Sequence, residues 1–164
     1  GEIPDRNVFF TTDMKVELRR LNLKDVYKLQ NILKKETAEK AGIAWPFDKP
    51  AAINFICNFN TWGIYLNGSV LAGAVEVKPS LETAYFVTDQ YQGIGIATLA
   101  VKRCQEIFGD RQLWCVIQPD NRASMRVAQK SGIRIKFIIM IYVKIIFSIL
   151  IFFFIITHCR NSIC

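Results

Sequence analysis

Two glycines, Gly93 and Gly95, stand two positions apart between an apolar run and a helical pattern in the segment QYQGIGIAT, residues 90–98. Glycine lacks a Cβ atom, so a turn built on it can expose several backbone N–H groups on one side. The helix that begins near Ile96 adds unpaired N–H groups and a partial positive charge. Together these donors would form an anion site suited to a pyrophosphate.

A G-x-G segment by itself is open to other interpretations. A tight strand–helix turn would need glycine only for its geometry. A Rossmann dinucleotide site needs G-x-G-x-x-G and an acidic residue about 20 positions further on, but Thr98 takes the third glycine's place and the next strand ends in Gln118-Pro119. A Walker A loop needs Gly-Lys-Ser/Thr, which the sequence lacks. Two interpretations therefore remain: a turn with a purely structural role, and a phosphate site that is neither a Rossmann site nor a Walker A loop.

The elements around the segment follow from hydrophobic periodicity and turn residues. Asn67-Gly68 is a strong β-hairpin signal, and Gly109 and Gly132 end helical patterns. The predicted order is a strand (14–21), two helices (26–41 and 50–59), three strands (61–66, 69–77 and 82–88), a helix (97–108), a strand (113–118) and a helix (123–130). This order predicts an α/β domain with a mixed, mostly antiparallel central sheet flanked by helices.

The formal net charge of +7 is unevenly distributed. Seven of the 21 basic residues follow Asp120 with no acidic residue among them, so residues 1–120 carry 14 basic and 14 acidic side chains. A nucleic-acid-binding face usually shows a clustered basic patch with aromatic residues or a known motif. The sequence shows neither, and we therefore expect no nucleic-acid partner.

Five cysteines without a C-x-x-C pair are typical of reduced thiols in a cytosolic protein. His158-Cys159 with Cys164 is a weak metal signal, because structural zinc normally takes four ligands. We expect a cytoplasmic protein with no bound metal, and we expect His158 to play no part in catalysis.

Two further observations resemble signatures of the GNAT acetyltransferases. The first is Q-x-x-G-x-G at Gln90–Gly95, which is similar to the acetyl-coenzyme A loop of that family. The second is NRASMRVAQKSG at Asn121–Gly132, which resembles the family's N-x-x-S segment after the next strand. Within the superfamily, YFVTDQYQGIGIAT looks closest to the branch that acetylates the N-terminal amines of ribosomal proteins. The resemblance covers about residues 14–133 and implies a GNAT-like fold for a domain at 1–133.

This resemblance implies that acetyl-CoA is the co-substrate and maps its parts onto the chain. In the family, the strand before the loop splays from the strand after the helix, and pantetheine lies in the gap, bonded to strand backbone. That mapping places pantetheine on Phe86, Val87 and Thr88. It places the pyrophosphate, mostly through N–H groups, on Gln92, Gly93, Ile94, Gly95, Ile96 and Ala97. Asn121 resembles a CoA-contacting asparagine, and it can cap a helix at the same time.

The resemblance also implies the reaction, in which a primary amine attacks the thioester directly in a ternary complex. Ser124 stands where this branch often places the hydroxyl that protonates the leaving thiolate, although it is also a plain first-turn helix serine. Glu82 stands where some members keep a carboxylate that acts on the amine through water, although a solvent-facing strand glutamate has the same pattern. Glu76 is the reserve candidate, and Tyr85 is expected to pack rather than to act as an acid.

The segment 134–164 departs from the family, which normally has two final strands joined by a turn there. From residue 133 onwards the sequence has no Gly, Pro, Asp, Glu or Ala, and residues 137–156 form an almost unbroken apolar stretch. About twenty apolar residues can span a bilayer as a helix. Three explanations stay open: a membrane anchor through 137–156, aberrant final strands with poor turn chemistry, or a non-native reading frame.

The sequence therefore predicts an N-acetyltransferase that uses acetyl-CoA and acts on a protein N-terminus or a small amine. The alternative is a non-catalytic CoA-binding or membrane-tethered GNAT-like module whose acceptor site is incomplete. A genuine anchor would place the enzyme at a membrane rather than free in the cytoplasm.

Overall fold

A computed structural model of the protein describes residues 8–11, 13–58, 60–137 and 145–153. Its strands are β1 (Val8–Thr11), β2 (Met14–Arg20), β3 (Thr61–Leu66), β4 (Val70–Val77), β5 (Thr83–Val87), β6 (Trp114–Ile117) and β7 (Arg134–Phe137). Its helices are α1 (Val26–Ile32), α2 (Lys35–Ala41), α3 (Lys49–Cys57), α4 (Ile96–Phe108) and α5 (Arg122–Ser131). Residues 145–153 are also helical and are called the tail helix below.

Five strands form one antiparallel sheet in the order β1-β2-β3-β4-β5, and β6 pairs with β7 in parallel. This arrangement confirms the predicted mixed sheet with an antiparallel first half. The first strand was not expected from the sequence: Val8 to Thr11 pair with the start of β2 through Val8↔Glu17 and Thr11↔Met14.

The sheet separates two apolar cores. Alternate residues of β3 enter opposite cores, because successive side chains of a strand point to opposite faces. Trp62 and Ile64 pack in the core beneath α4 and α5, whereas Tyr65 packs in the core beneath α1, α2 and α3. All six residues of β3 are buried, as a strand covered on both faces requires.

The predicted hairpin between β3 and β4 is present. Asn67 and Gly68 have φ angles of 48° and 82°, the two left-handed residues of a type I′ turn. The Asn67 side chain also accepts a hydrogen bond from the Lys15 N–H at 3.1 Å, which joins the hairpin to β2.

The single helix predicted for residues 26–41 is wrong, because the chain forms two helices there. Leu33 and Lys34 adopt extended backbone angles between α1 and α2. Leu33 and Ala38 are both buried in the core beneath α1 to α3. The break turns α2 so that both side chains reach that core, which helical spacing alone does not reveal.

β7 shows that a regular strand continues past the predicted boundary at residue 133. Arg134 to Phe137 pair in parallel with β6, and the Lys136 ammonium lies 3.5 Å from the centre of the Trp114 ring. The domain limits predicted from the sequence, residues 1–133, stay a prediction.

The tail helix exposes eight large apolar side chains between Ile145 and Phe153 to solvent. Its nine residues are helical, and the three explanations of segment 134–164 stay predictions. Among the residues that the structure describes, no helix combines the length and the apolar character needed to cross a membrane. Residues 138–144 and 154–156 and the cysteines near the C-terminus lie outside the described residues.

Gly73 on β4 lies unusually close to the backbone of β5. A Cβ atom added at Gly73 would stand 2.1 Å from the carbonyl oxygen of Phe86 and 3.0 Å from the Cα atom of Val87. Gly73 follows a register shift between β3 and β4, where Ile64 pairs with Gly73 but Tyr65 pairs with Leu71. Glycine is thus a steric requirement for the contact that fixes the position of β5.

We predict that Gly73→Ala lowers the free energy of unfolding by at least about 3 kcal/mol, at or above the upper end of ordinary overpacking costs. The matched control is Gly63→Ala on β3. There the three atoms nearest to the added Cβ atom belong to the side chains of Leu21, Tyr65 and Leu71, at 2.7–2.9 Å. Side chains move more easily than backbone, so about 1 kcal/mol is expected. Chemical denaturation measures both values, and an equal or smaller loss in Gly73→Ala would contradict this account.

Candidate active site

The two parallel strands β5 and β6 touch at one end and part at the other. They are joined at a parallel bridge between Glu82 and Trp114, where the Trp114 N–H donates to the Leu81 carbonyl oxygen at 3.1 Å. Within the described part of the chain, no ladder continues this pairing, and β6 belongs to a separate sheet with β7. A gap therefore opens between the strands towards their carboxyl ends.

The hydrogen-bond alternation of the β4–β5 ladder determines which backbone groups of β5 face this gap. The Thr88 N–H donates to Ala72 O, and Glu82 O accepts from the Lys78 N–H, both at 2.8 Å. Antiparallel ladders alternate hydrogen-bonded and non-hydrogen-bonded pairs. The even-numbered residues therefore direct their backbone groups at β4, and Tyr85 and Val87 direct theirs into the gap.

The three residues predicted to hold pantetheine are consequently not equivalent. Phe86 pairs with Ala74, and its side chain is buried in the core beneath α1 to α3. The Thr88 N–H is already bonded to Ala72. Val87 presents its N–H to the gap, and Tyr85, which was not predicted as a ligand residue, presents both backbone groups.

The loop from Thr88 to Gly95, called the two-glycine loop below, connects β5 to α4 through a short 3-10 turn at Asp89–Tyr91. Gly93 and Gly95 have φ angles of +79° and +90°, in the left-handed region that favours glycine. Among the described residues, a Cβ atom at Gly93 would meet nothing within 4 Å. The loop therefore borders an open space on the side that a larger residue would fill.

The N-terminus of α4 adjoins that space. Its first backbone bond runs from the Leu99 N–H to Gly95 O at 3.1 Å, so the N–H groups of Ile96 and Ala97 precede the helical ladder. Gly95 is the N-cap and offers no side-chain cap, and the first turn contains no acidic residue. The helix thus keeps its positive end for an external anion.

Gln92 fastens the loop to β5 through its side chain. Its Nε2 atom donates to Val87 O at 2.8 Å and lies 3.4 Å from Asp89 Oδ1. The Gln92 N–H donates to Asp89 O at 3.2 Å. Of the residues predicted to offer N–H groups to a pyrophosphate, Gln92 therefore has its N–H engaged within the loop, whereas Gly93 borders the open space and the N–H groups of Ile96 and Ala97 precede the helical ladder.

The first turn of α5 lies across the gap from β5. The Asn121 side chain caps this helix, because its Oδ1 atom accepts from the Ser124 N–H at 3.1 Å. The Tyr85 hydroxyl donates to the Ser124 carbonyl oxygen at 3.0 Å. The predicted residues Asn121 and Ser124 are therefore brought together, and Tyr85 connects them to β5.

Two ionisable groups beside the gap remain uncharged at neutral pH. Burial raises the pKa of the Tyr85 hydroxyl far above its ordinary value, and Cys115 adds to the rise. Burial also raises the pKa of the Cys115 thiol, with a further contribution from Glu82, to about 12. Cys115 is therefore not a thiolate nucleophile, since only the ionised form reacts.

Glu82 lies at the closed end of the gap. Its Oε1 atom pairs with the Lys78 ammonium at 2.9 Å, and its side chain is 28% exposed, so it is not a freely solvated strand glutamate. By strand alternation Glu82 falls on the sheet face opposite Tyr85 and Ser124. Glu76 falls on the same face as Glu82 and accepts from Asn58 Nδ2 at 2.9 Å. The structure thus separates the two predicted catalytic residues across the sheet.

Sequence reasoning missed the side-chain roles of Tyr85 and Gln92. The sequence does show that Tyr85 lies on the same face of β5 as Thr83 and Val87, because alternate residues of a strand share a face. The sequence could not show which backbone edge of β5 lacks a partner strand. In the described residues, no group of three ligating side chains could hold a metal ion, and His158 lies outside those residues.

Comparison with solved structures shows the same fold in known acetyltransferases. The microcin C7 self-immunity acetyltransferase MccE, solved with acetyl-CoA and AMP, matches with a TM-score of 0.53 and 19% identity over 71% of this chain and 77% of its own. RimL, the ribosomal L7/L12 alpha-N-protein acetyltransferase, matches with a TM-score of 0.55 and 18% identity over 75% and 78%. A GNAT-family acetyltransferase from Streptococcus pneumoniae matches with a TM-score of 0.54 and 20% identity over 71% and 83%.

No curated protein sequence matches the chain closely enough to count as a relative. A family model described as the acetyltransferase (GNAT) domain does match, over residues 15–134. This span contains the gap between β5 and β6, the two-glycine loop and the capped first turn of α5, and it covers most of the chain. The chain therefore belongs to the GNAT acetyltransferase family.

Proposed function

We propose that the protein transfers an acetyl group from acetyl-CoA to a primary amine. The observation that carries this proposal is the gap between β5 and β6, which opens directly onto the two-glycine loop at the N-terminus of α4. The amides of a pantetheine arm can pair with the backbone groups of Tyr85 and Val87. The N–H groups of Gly93, Gly95, Ile96 and Ala97 suit the pyrophosphate, with the Gln92 side chain holding the loop in place.

The transfer proceeds by direct attack of the amine on the thioester. The C–N bond forms, the C–S bond breaks, the amine loses a proton and the leaving thiolate gains one. An intermediate acetyl-cysteine would need an ionised thiol. Because the pKa of the buried Cys115 thiol lies near 12, this cysteine does not provide that route.

Ser124 is the proposed donor of the proton to the thiolate. It lies in the first turn of α5 on the wall of the gap opposite β5, and its backbone is fixed on two sides by Asn121 and Tyr85. Asn121 is proposed to contact CoA through the part of its amide that the helix cap does not use. Its cap oxygen stays bonded to Ser124 in either case.

Glu82 is proposed to act on the amine, directly or through water. It stands at the closed end of the gap, on the face opposite Ser124, so a thioester placed between them would have its acid and its base on different sides. Lys78 occupies the Oε1 atom of Glu82, which leaves the second carboxylate oxygen for the amine.

The proposed acceptor is the N-terminal amine of a protein or a small primary amine. The name of RimL states a ribosomal protein N-terminus, whereas MccE is named for self-immunity to microcin C7, and at 18–19% identity each shares only the fold with this chain. The three cysteines of the described residues are free thiols, which supports a reducing compartment such as the cytoplasm. Family membership, the gap and the loop together support catalysis over a purely CoA-binding module.

We predict that Gly93→Asp greatly weakens acetyl-CoA binding in calorimetry, because a carboxylate there would repel the pyrophosphate. Gly93→Asn separates charge from shape, since Asn has the same size and also tolerates left-handed backbone angles. Binding by the Asp variant should be about tenfold or more weaker than binding by the Asn variant, as expected for one added charge a few ångströms from the ligand.

The matched control for this experiment is Gly42→Asp, at another left-handed glycine with open space around it but at the end of α2. It should bind acetyl-CoA as the unmodified chain does. Equal affinities of the Gly93→Asp and Gly93→Asn variants would contradict the assignment of the pyrophosphate to this loop.

We predict that Ser124→Ala lowers kcat by about 10²-fold, at the low end of the range for loss of a general acid. Its affinity for acetyl-CoA should be unchanged, because the backbone N–H that binds Asn121 remains. Thiol release measured over a panel of amines and N-terminal peptides gives kcat. Ser131→Ala, at the far end of the same helix, is the control. A kcat for Ser124→Ala within twofold of the control would exclude the proposed role.

A further inference from the structure

The Tyr85 hydroxyl forms a hydrogen bond across the gap in which the thioester is proposed to lie. Tyr85 belongs to the middle of β5, and its hydroxyl reaches the Ser124 carbonyl oxygen in the first turn of α5 at 3.0 Å. At the closed end, Trp114 makes two further hydrogen bonds, from its backbone N–H to Leu81 O and from its indole N–H to Ser80 O. The Tyr85 bond is therefore placed where the walls have begun to separate.

The first turn of α5 is thereby held from two directions. Asn121 caps it from its own N-terminus through the Ser124 N–H at 3.1 Å, and the Met125 N–H donates to Asn121 O at 3.1 Å. These two bonds fix the shape of the turn but not its distance from β5. The Tyr85 bond joins the turn directly to the strand, in addition to the apolar packing of Met125 and Ala128 in the same core as Val87.

We propose that Tyr85 is a positioning residue that sets the distance between β5 and the Ser124 hydroxyl. This inference rests on the proposed function, in which Ser124 protonates the leaving thiolate of CoA. Tyr85 acts through Ser124 and gives up no proton itself, because its hydroxyl hydrogen is engaged by the Ser124 carbonyl oxygen. A shift of about 1 Å in a catalytic group is enough to cost as much as 10²-fold in rate.

The test is Tyr85→Phe, which keeps the ring and its packing and removes only the hydroxyl. We expect kcat to fall by about tenfold while the affinity for acetyl-CoA stays within about twofold, since the two-glycine loop is untouched. The matched control is Tyr65→Phe, which removes a buried hydroxyl that interacts with Asp25 in the opposite core. The control should keep the kcat of the unmodified chain.

A double-mutant comparison separates positioning from a general structural effect. If Tyr85 acts through Ser124, then Tyr85→Phe should have little further effect on kcat in a Ser124→Ala background, since coupled residues are not additive. An equal fold-loss in both backgrounds would overturn the proposal. So would an unchanged kcat in Tyr85→Phe when the unmodified chain turns over. Absence of turnover in the unmodified chain would instead overturn the proposed function, and with it the catalytic meaning of Tyr85.

Hydrogen exchange tests the physical basis without any acceptor. In Tyr85→Phe the amides of Ser124 and Met125 should exchange at least about fivefold faster than in the unmodified chain, as expected where local opening becomes easier. In Tyr65→Phe they should not change. Unchanged exchange at Ser124 and Met125 in Tyr85→Phe would overturn the positioning role whatever the activity shows.

Discussion

The site depends on an incomplete pairing of β5. One backbone edge of this strand is bonded to β4, and the other, as far as the described residues show, is bonded to β6 only around Glu82 and Trp114. Past that point Tyr85 and Val87 direct backbone groups into a gap. A backbone polar group left without a partner away from water costs roughly 1–3 kcal/mol. The amides of the proposed pantetheine arm would satisfy the backbone groups that β5 leaves available at this edge.

The rest of the site is arranged around that edge. Gly73 allows β4 and β5 to approach closely, and this contact fixes β5 on the edge that faces away from the gap. Gln92 anchors the loop to the last carbonyl group of β5, so the left-handed glycines and the N-terminus of α4 follow directly from the strand end. On the other wall, the first turn of α5 is tied back to β5 by Tyr85. The proposed anion site and the proposed site of acetyl transfer are thus both positioned by β5.

Much of the fold could be predicted from the sequence, because its signals are local. Asn67-Gly68 fixes a hairpin by its backbone angles, and the spacing of apolar residues in α4 and α5 marks their buried faces. The break at Leu33 could not be predicted in this way, since helical spacing continues through it and only the shared core of Leu33 and Ala38 explains it. β1 was missed because its pairing with β2 is a tertiary relation.

For the candidate site, the sequence predicted the positions of the motif residues but not their hydrogen-bond partners. The motif segments placed Gly93 and Gly95 before α4 and placed Asn121 and Ser124 at the start of α5, since each motif is one short continuous segment. The sequence could not show that the N–H groups of Gln92 and Thr88 are already bonded, nor that Tyr85 crosses to Ser124, 39 residues away. Those facts depend on which residues of β5 are hydrogen-bonded to β4 and on the separation of β5 from β6.

The most direct test of the central claim is amide hydrogen exchange along β5 with and without acetyl-CoA. If pantetheine pairs with the open edge, exchange at Tyr85 and Val87 should slow by at least about tenfold on binding, as for amides that gain a protected hydrogen bond. Exchange at Ala84 and Phe86, which the ladder with β4 already protects, should change much less. Equal changes at all four residues, or no change at Tyr85 and Val87 under saturating acetyl-CoA, would contradict the account.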